Sequence, residues 1–325
     1  MTGTPIENRL SELWSIFEFL NPGFLGTAAF FSRRFALPIE KGGDQDALNI
    51  LRSLVRPFIL RRLKSDKTII VDLPNKQEMN VFCSLSSEQA DLYQKLVDNS
   101  LVKIEESKGI ERHGLILTLL LQLKQLCNHP ALLLKEEKIN KSERSGKLLR
   151  LEEMLEELIL EGDRALIFTQ FAQWGKLLLP YLAKRLEREI SFLYGGSTRQ
   201  QRSEIVDRFQ QDPNGPPILI LSLKAGGTGL NLTRANHVFH IDRWWNPAVE
   251  NQATDRAFRI GQQQNVQVHK FICLGTLEER INDILESKQQ LAQQTVDAGE
   301  QWLADLDSHA LRNLLLLDRD AVIDQ

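Results

Sequence analysis

Residues 217–242, PILILSLKAGGTGLNLTRANHVFHID, decide the fold. PILILS (217–222) is a continuous apolar run of strand length with no polar alternation along it. A run of that kind is buried on both faces, as in a strand inside a parallel sheet. The glycine-rich KAGGTGLNLT (224–233) follows as a loop, and HVFHID (237–242) reads as a second strand. Working outward, ALIFT (165–169), ISFL (190–193) and VQVHKFI (266–272) are further short apolar runs. Helical patterns separate them: 172–186, the helix after the turn in YGGSTRQQRSEIVDRFQ, the segment after WWNP, and a helix from Thr276. This alternation predicts an α/β fold, a parallel sheet covered by helices on both faces. Ligands of such sheets collect at the carboxyl ends of the strands. The loop after Ser222 and the WWNP segment after Asp242 both fall there.

Upstream of Ala165 the pattern is helical. Leu10, Leu13, Trp14, Phe17 and Leu20 recur at helical spacing before NPG, and a polar break, EKGGDQD, follows. The next stretch carries Arg52, Arg56, Arg61, Arg62, Lys64 and Lys67 against one acid, Asp66, and runs into LPNKQE, read as a linker at Pro74. SSEQADLYQKLVD opens a helix with Ser87 as its cap. LILTLLLQLKQLCNHP (115–130) is apolar on nearly all sides and is expected to be buried, and SGKLLRLEEMLEELILEG (145–162) is amphipathic and closes at Gly162.

Composition narrows the class. A chain of 325 residues, 42% hydrophobic and 26% charged, holds about two domains with a sizeable core. The net charge of −3 excludes a uniformly basic nucleic-acid coat but leaves room for a local basic face. No apolar run has the roughly 20 residues a membrane helix needs, and MTGTPIENRL lacks the basic start and apolar centre of a signal peptide. Three widely spaced cysteines, Cys83, Cys127 and Cys273, read as reduced and buried. Cys127 and His129 have no second ligand pair at zinc-like spacing, so no metal site is expected.

The chemistry concentrates in WWNPAVENQATDRAFRIGQ (244–262). Arg256 and Arg259, three apart, are neighbours on one face if the segment is helical. Guanidinium is always charged and presents a planar fork of donors that suits phosphate oxygens. Two readings follow from the residues alone: an ion-paired surface, with Asp255 the partner of Arg259, or a grip on a phosphate. The glycines of KAGGTGLNL likewise suit either a plain turn or a backbone that passes close to a ligand.

The motifs settle the choice through resemblance. TGTPIENRLSELW, LLLQLKQLCNHP, SGKL, ALIFTQF, LYGGS, LSLKAGGTGLNLTRANHVFHID and WWNPAVENQATDRAFRIGQ stand in the order found in Swi/Snf-type ATPases. That family comprises double-stranded DNA translocases of helicase superfamily two, including chromatin remodellers, Rad-type recombination motors and bacterial relatives. The resemblance covers nearly the whole chain. It implies a RecA-like lobe with an α-helical insertion, a protrusion and C-terminal helices. The implied boundaries are 1–22 for the end of a first RecA-like lobe, 23–85 for the protrusion and basic linker, 86–295 for the second lobe with its insertion, and 296–325 for a helical tail.

The resemblance also assigns roles. Arg256 and Arg259 fall in the sixth motif as arginine fingers on ATP held by the first lobe, with Gln252, Thr228 and Gly229 towards the nucleotide cleft. Thr169 and Gln170 of the fourth motif, Gly195, Gly196 and Ser197 of YGGS, Lys224, Ala225 and Gly226 of the fifth, and Trp244 are the implied DNA-backbone contacts. Arg61, Arg62 and Lys64 either stabilise the closed lobes and approach DNA or form a solvated face. No G-x-x-x-x-G-K-[ST] occurs in the sequence. ATP and magnesium are therefore expected to be bound mainly by the first lobe, and the chain alone is expected not to hydrolyse ATP. The implied partners are double-stranded DNA, the first lobe of the same protein, and RNA polymerase or other DNA-bound proteins. The acidic tail resembles the end of bacterial members, which implies a nucleoid-associated cytoplasmic protein, with a nuclear one as the alternative. A non-catalytic DNA-binding or regulatory fragment is the competing reading.

Overall fold

A computed structural model describes residues 10–59, 73–223, 229–244, 246–291, 308–318 and 321–322, with the side chains of 41 and 287–291 excepted. TGTP, the basic cluster Arg61, Arg62 and Lys64, the loop residues Lys224, Ala225, Gly226 and Thr228, and Trp245 lie outside the described residues. The chain divides into two compact units that change over in sequence between Asp72 and Leu73.

The first unit is helical. Helix α1 (Leu10–Leu20) is followed by α2 (Ala28–Phe31), a π-helical turn, α3 (Leu37–Gly42) and α4 (Gln45–Val55). The polar break is a helix junction: Gly43 sits at φ 62°, and the Asp44 carboxylate accepts the Ala47 amide to start α4. Leu10, Leu13, Phe17, Phe31, Phe35 and Leu51 form its core.

The second unit is built on a six-stranded sheet. Its strands are β1 (Lys76–Cys83), β2 (Ala165–Thr169), β3 (Ile190–Leu193), β4 (Ile218–Ser222), β5 (His237–His240) and β6 (Val266–Cys273). They lie in the order β1-β6-β5-β2-β4-β3, and every pairing is parallel. The expected parallel α/β sheet is therefore present. Residues alternate between its faces. Ala165, Ile167, Ile218, Ile220 and Phe239 pack on α8 (Gly146–Glu161) and α9 (Ala172–Leu186). Leu166, Phe168, Leu219, Leu221 and Val238 face the other way, with Phe209 of α10 (Arg199–Gln211) and Ala253 of α11 (Pro247–Thr254).

Between β1 and β2 the chain inserts α5 (Ser87–Glu106), α6 (Gly109–Asn128), α7 (Pro130–Leu133) and α8. The cap of α5 is Ser86 rather than Ser87. Its hydroxyl takes the Gln89 amide and Gln89 returns a bond to the Ser86 amide, a capping box. Helix α6 is buried along Ile116, Leu119, Leu120, Leu123 and Leu126, but Leu117 and Leu121 remain 37% and 48% exposed, so its apolar surface exceeds what the fold covers. It packs with α5, α12 (Leu277–Leu291) and α13 (Ser308–Leu315) in a second core through Tyr93, Val97, Leu277 and Leu311.

β1 lies in the stretch read from sequence as linker. It occupies a sheet edge, where one side of the strand is unpaired and most of its side chains are exposed.

Candidate functional site

The carboxyl ends of β2 and β5 are joined by one buried carboxylate. Asp242 Oδ2 accepts the Thr169 hydroxyl at 2.6 Å and Asn128 Nδ2 at 3.0 Å, and Oδ1 accepts the Gln170 amide at 2.9 Å. Burial pushes the Asp242 carboxyl up, while the Thr169 and Gln170 donors and the charges of Lys124 and Lys147 pull it part of the way back. Three donors converging on it is the pattern an ionised carboxylate takes. Asn128 Oδ1 in turn faces Lys147 Nζ at 3.5 Å. That ammonium donates to the Ile241 carbonyl at 2.7 Å and pairs with Glu278 at 2.7 Å.

The SGKL motif explains itself in this setting. The Ser145 hydroxyl donates to the Asn128 carbonyl at 2.6 Å and caps α8 by taking the Leu148 amide. A Cβ on Gly146 would lie 2.0 Å from the Ser84 carbonyl oxygen, so only glycine lets the two backbones pass. Lys147 supplies the buried charge. Cys127, Cys273 and Glu278 bring their ligand atoms within 4.8 Å of one another, yet the Lys147 ammonium already stands beside that carboxylate as its cation. His129 is a structural group. Its Nδ1 takes the Ala131 amide to start α7, and burial pushes it down to about 4, so it is neutral.

The arginine segment is not helical as expected. Helix α11 ends at Thr254, and residues 255–261 form a turn. Two features bend the chain away from the helix. Gly261 adopts φ 99°, and the Gln262 carboxamide donates to the Ala235 and Ala257 carbonyls at 2.8 and 3.2 Å while accepting the amides of Gln263 and Gln264. Ala257 and Phe258 are thereby driven into the core, and the arginines take opposite environments. Arg256 is 9% exposed and Arg259 is at the surface. Burial and the neighbouring Arg259 push the Arg256 guanidinium down, against the pull of Asp255. The turn is tied to the far end of the glycine-rich loop: the Arg256 carbonyl accepts the Leu232 amide at 2.9 Å, and Arg259 Nη1 donates to the Leu230 carbonyl at 3.3 Å. Gly229, next to Leu230, is exposed at φ 50°. Gln252 is half-buried on α11, whose last residue, Thr254, meets His240 of β5 at 2.9 Å.

The remaining predicted residues separate into presented and committed groups. Thr169 is fully buried, with its hydroxyl held by Asp242, so it shapes the strand end. Gln170 is half-buried beside it. Trp244 is half-buried against the core, and its amide donates to Glu250 at 2.8 Å. Asn246 caps α11, its Oδ1 accepting the Ala248 amide at 2.9 Å, with Pro247 at the first turn. Gly195 and Gly196 are exposed after β3, and Ser197 Oγ accepts the Tyr194 amide at 3.3 Å. That turn lies two strands from β2, roughly 10 Å across the sheet.

Lys124, Asn128, Lys147, Asp242, Glu278 and Gln262 stand in the structure as organising groups that sequence reasoning passed over. The available signal was a charge or amide embedded in an apolar run, such as Lys124 within LLLQLKQLC.

These features define a class: a RecA-like lobe with a carboxylate hub at the carboxyl ends of β2 and β5 and a braced arginine turn between α11 and β6. The descriptions SNF2-related domain and Helicase conserved C-terminal domain match residues 1–132 and 146–261. The chain is 48% identical over 322 residues to the putative ATP-dependent helicase/translocase YwqA of Bacillus subtilis, matching 99% of this chain and 35% of that protein. It superposes on the Sulfolobus solfataricus SWI2/SNF2 ATPase core in complex with double-stranded DNA with a TM-score of 0.68 and 47% identity, over 98% of this chain and 66% of that one. It also covers the whole of the S. solfataricus SWI2/SNF2 ATPase C-terminal domain, at 43% identity over 75% of this chain and a TM-score of 0.65. The chain belongs to the SWI2/SNF2 family of ATP-dependent helicases and translocases. It spans about a third of the length of the curated relatives it matches.

Proposed function

We propose that this chain is the C-terminal lobe of an ATP-dependent double-stranded DNA translocase, gripping the DNA backbone and lending Arg256 and Arg259 to ATP held by a first lobe. The observation that carries the reading is the braced turn: the Arg259 guanidinium donates to the Leu230 carbonyl and the Arg256 backbone carbonyl accepts the Leu232 amide, so both arginines are held against the end of the glycine-rich loop. Charge developing on a transferred phosphoryl group calls for preorganised cations of this kind. Bound ATP with magnesium supplies the phosphoryl group and its charge neutralisation. For this role the chain contributes the arginines, and Gln252, Gly229 and Thr228 are assigned to the nucleotide with them. The sequence carries no G-x-x-x-x-G-K-[ST], so the chain alone does not turn over ATP in this reading.

On the DNA side the contacts are Gln170, Trp244, the Gly195–Ser197 turn and the loop residues Lys224, Ala225 and Gly226, with Thr169 buried at the end of β2 just before Gln170. The S. solfataricus relative solved with double-stranded DNA supports this side of the reading. RNA polymerase or other DNA-bound proteins are the obstacles such a motor would act against.

The test is DNA-stimulated ATPase in a chain that carries both lobes. Arg256→Ala with Arg259→Ala lowers the rate by about 10³–10⁵-fold, and a double variant with full activity would end the finger assignment.

A further inference from the structure

Lys124 is the one charge in the apolar run 115–127, and it is 2% exposed. A buried ammonium costs stability unless hydrogen-bonded and electrostatically paired, so what it touches defines its use. Its Nζ donates to Gln170 Oε1 at 3.1 Å. The other end of that carboxamide is also fixed, since Gln170 Nε2 donates to the Arg243 carbonyl at 3.4 Å. The same Nζ stands 5.8 Å from the centroid of the Trp244 ring, a cation–π approach. Its charge acts on the Asp242 carboxylate, which holds the Gln170 amide from below. One ammonium from the helical insertion thus reaches both half-buried side chains at the carboxyl ends of β2 and β5.

We propose that Lys124 is a positioning residue for duplex DNA binding: from α6 it fixes the Gln170 carboxamide and the Trp244 ring in their DNA-facing poses without touching DNA itself. The inference rests on the DNA-backbone reading above. It gives the insertion a task in the grip, because any shift of α6 against the sheet moves the ammonium and releases both side chains together.

The test is a salt titration of the chain on a mixed-sequence duplex, followed by fluorescence anisotropy. Lys124→Met keeps the apolar stem and removes the charge. The expected result is a loss of affinity of about 5- to 10-fold at every salt concentration. The slope of log affinity against log salt stays unchanged, because no phosphate contact is removed. Lys124→Arg, which keeps a charge and donors, recovers part of the affinity. Gln170→Ala added to Lys124→Met costs little more, since the lysine acts through that residue.

Unchanged affinity in a folded Lys124→Met overturns the proposal. So does a slope that falls by about one, which would make Lys124 itself a phosphate contact. Should Lys124→Met fail to fold, Lys124→Gln is read in the same titration, and loss of the fold in both shows a structural residue and overturns the positioning role. An unaltered chain that does not bind duplex DNA defeats the DNA reading and this inference with it. Binding by the unaltered chain that the variants leave intact defeats the inference alone.

Discussion

The Lys147 ammonium lies 2.7 Å from the Glu278 carboxylate, and both side chains are 1% exposed. Burial alone would pull this lysine down, but Glu278, with smaller contributions from Cys273 and Cys127, more than reverses that and raises it above the ordinary lysine value. A folded-state value above the unfolded one means that the pair contributes fully below the unfolded lysine value of about 10.4. The contribution is lost as pH rises through the still higher folded value. Lys147→Met alone leaves Glu278 buried and uncompensated and is expected to cost about 3–5 kcal/mol in urea unfolding. Lys147→Met with Glu278→Met recovers at least half of that. A single variant that unfolds like the unaltered chain would show the pair to be dispensable.

Three buried histidines set an acid limit. Burial pushes His240 down to about 3, with the charges of Lys270 and Arg243 adding to it, and pushes His129 and His269 down to about 4. Unfolded, each takes up a proton near pH 6.5. Stability is therefore complete above that pH and falls as pH drops towards 4, by up to about 1.4 kcal/mol per unit for each group. His129→Asn keeps a capping side chain and removes one of these protons. Urea midpoints measured from pH 7 to 4 should fall less steeply for it.

Glu78 marks a second acid window. Burial raises it, but Lys270 at 2.6 Å and Lys76 at 2.5 Å bring it down to about 2. A depressed carboxyl contributes above its unfolded value of about 4.3 and loses that contribution as pH falls through 2. The side chain is 32% exposed, so solvent screening keeps the effect small. Between pH 7 and pH 2.5, Glu78→Gln should lose slightly less stability in urea unfolding than the unaltered chain, the contributions of the histidines and of the other carboxyls being common to both proteins.

Two glycines should respond oppositely to the same methyl group. Gly146→Ala meets the Ser84 carbonyl at 2.0 Å, a contact that forces backbone to move and is expected to cost about 1–3 kcal/mol or more. Gly195→Ala meets nothing within 4 Å and should leave stability within about 0.5 kcal/mol. It should still weaken DNA binding if the Gly195 backbone passes a phosphate. Melting curves and anisotropy on the same two proteins separate these effects.

Backbone contacts carry no sequence readout. The unaltered chain should bind duplexes of different sequence with similar affinity, dropping steeply between 50 and 200 mM salt. Strong preference for one sequence would contradict the grip described above.

What the sequence revealed follows from burial. The central strands β2, β4 and β5 have a neighbour on each side and helices on both faces, so ALIFT, ILILS and HVFH are buried at every position and largely apolar, and could be read directly. β1 has one neighbour and an exposed surface, and KQEMNVFC carries no comparable pattern. The spacing in DRAFRIGQ fits a helix. The Gly261 backbone and bonds to distant segments, from Gln262 to Ala235 and between Arg256 and Leu232, hold it in a turn instead. Arginine type and spacing were legible, but their unequal burial was not. The carboxylate hub was hidden for a different reason: Asn128, Lys147, Asp242 and Glu278 are scattered over 151 residues of chain, and no local pattern announces their meeting.

The β1 edge carries a cost in time. Its register joins Lys76 to Val266 and Cys83 to Cys273, so each residue waits for a partner 190 positions later in synthesis. Strands β2 to β5, with α8 packed on them, can assemble while the nascent chain is still emerging, but β1 stays unanchored until β6 clears the ribosome. Non-local pairing of this span is slow to close. A chain released early, at Gln262, would hold β2 to β5 and leave KQEMNVFC without its partner strand.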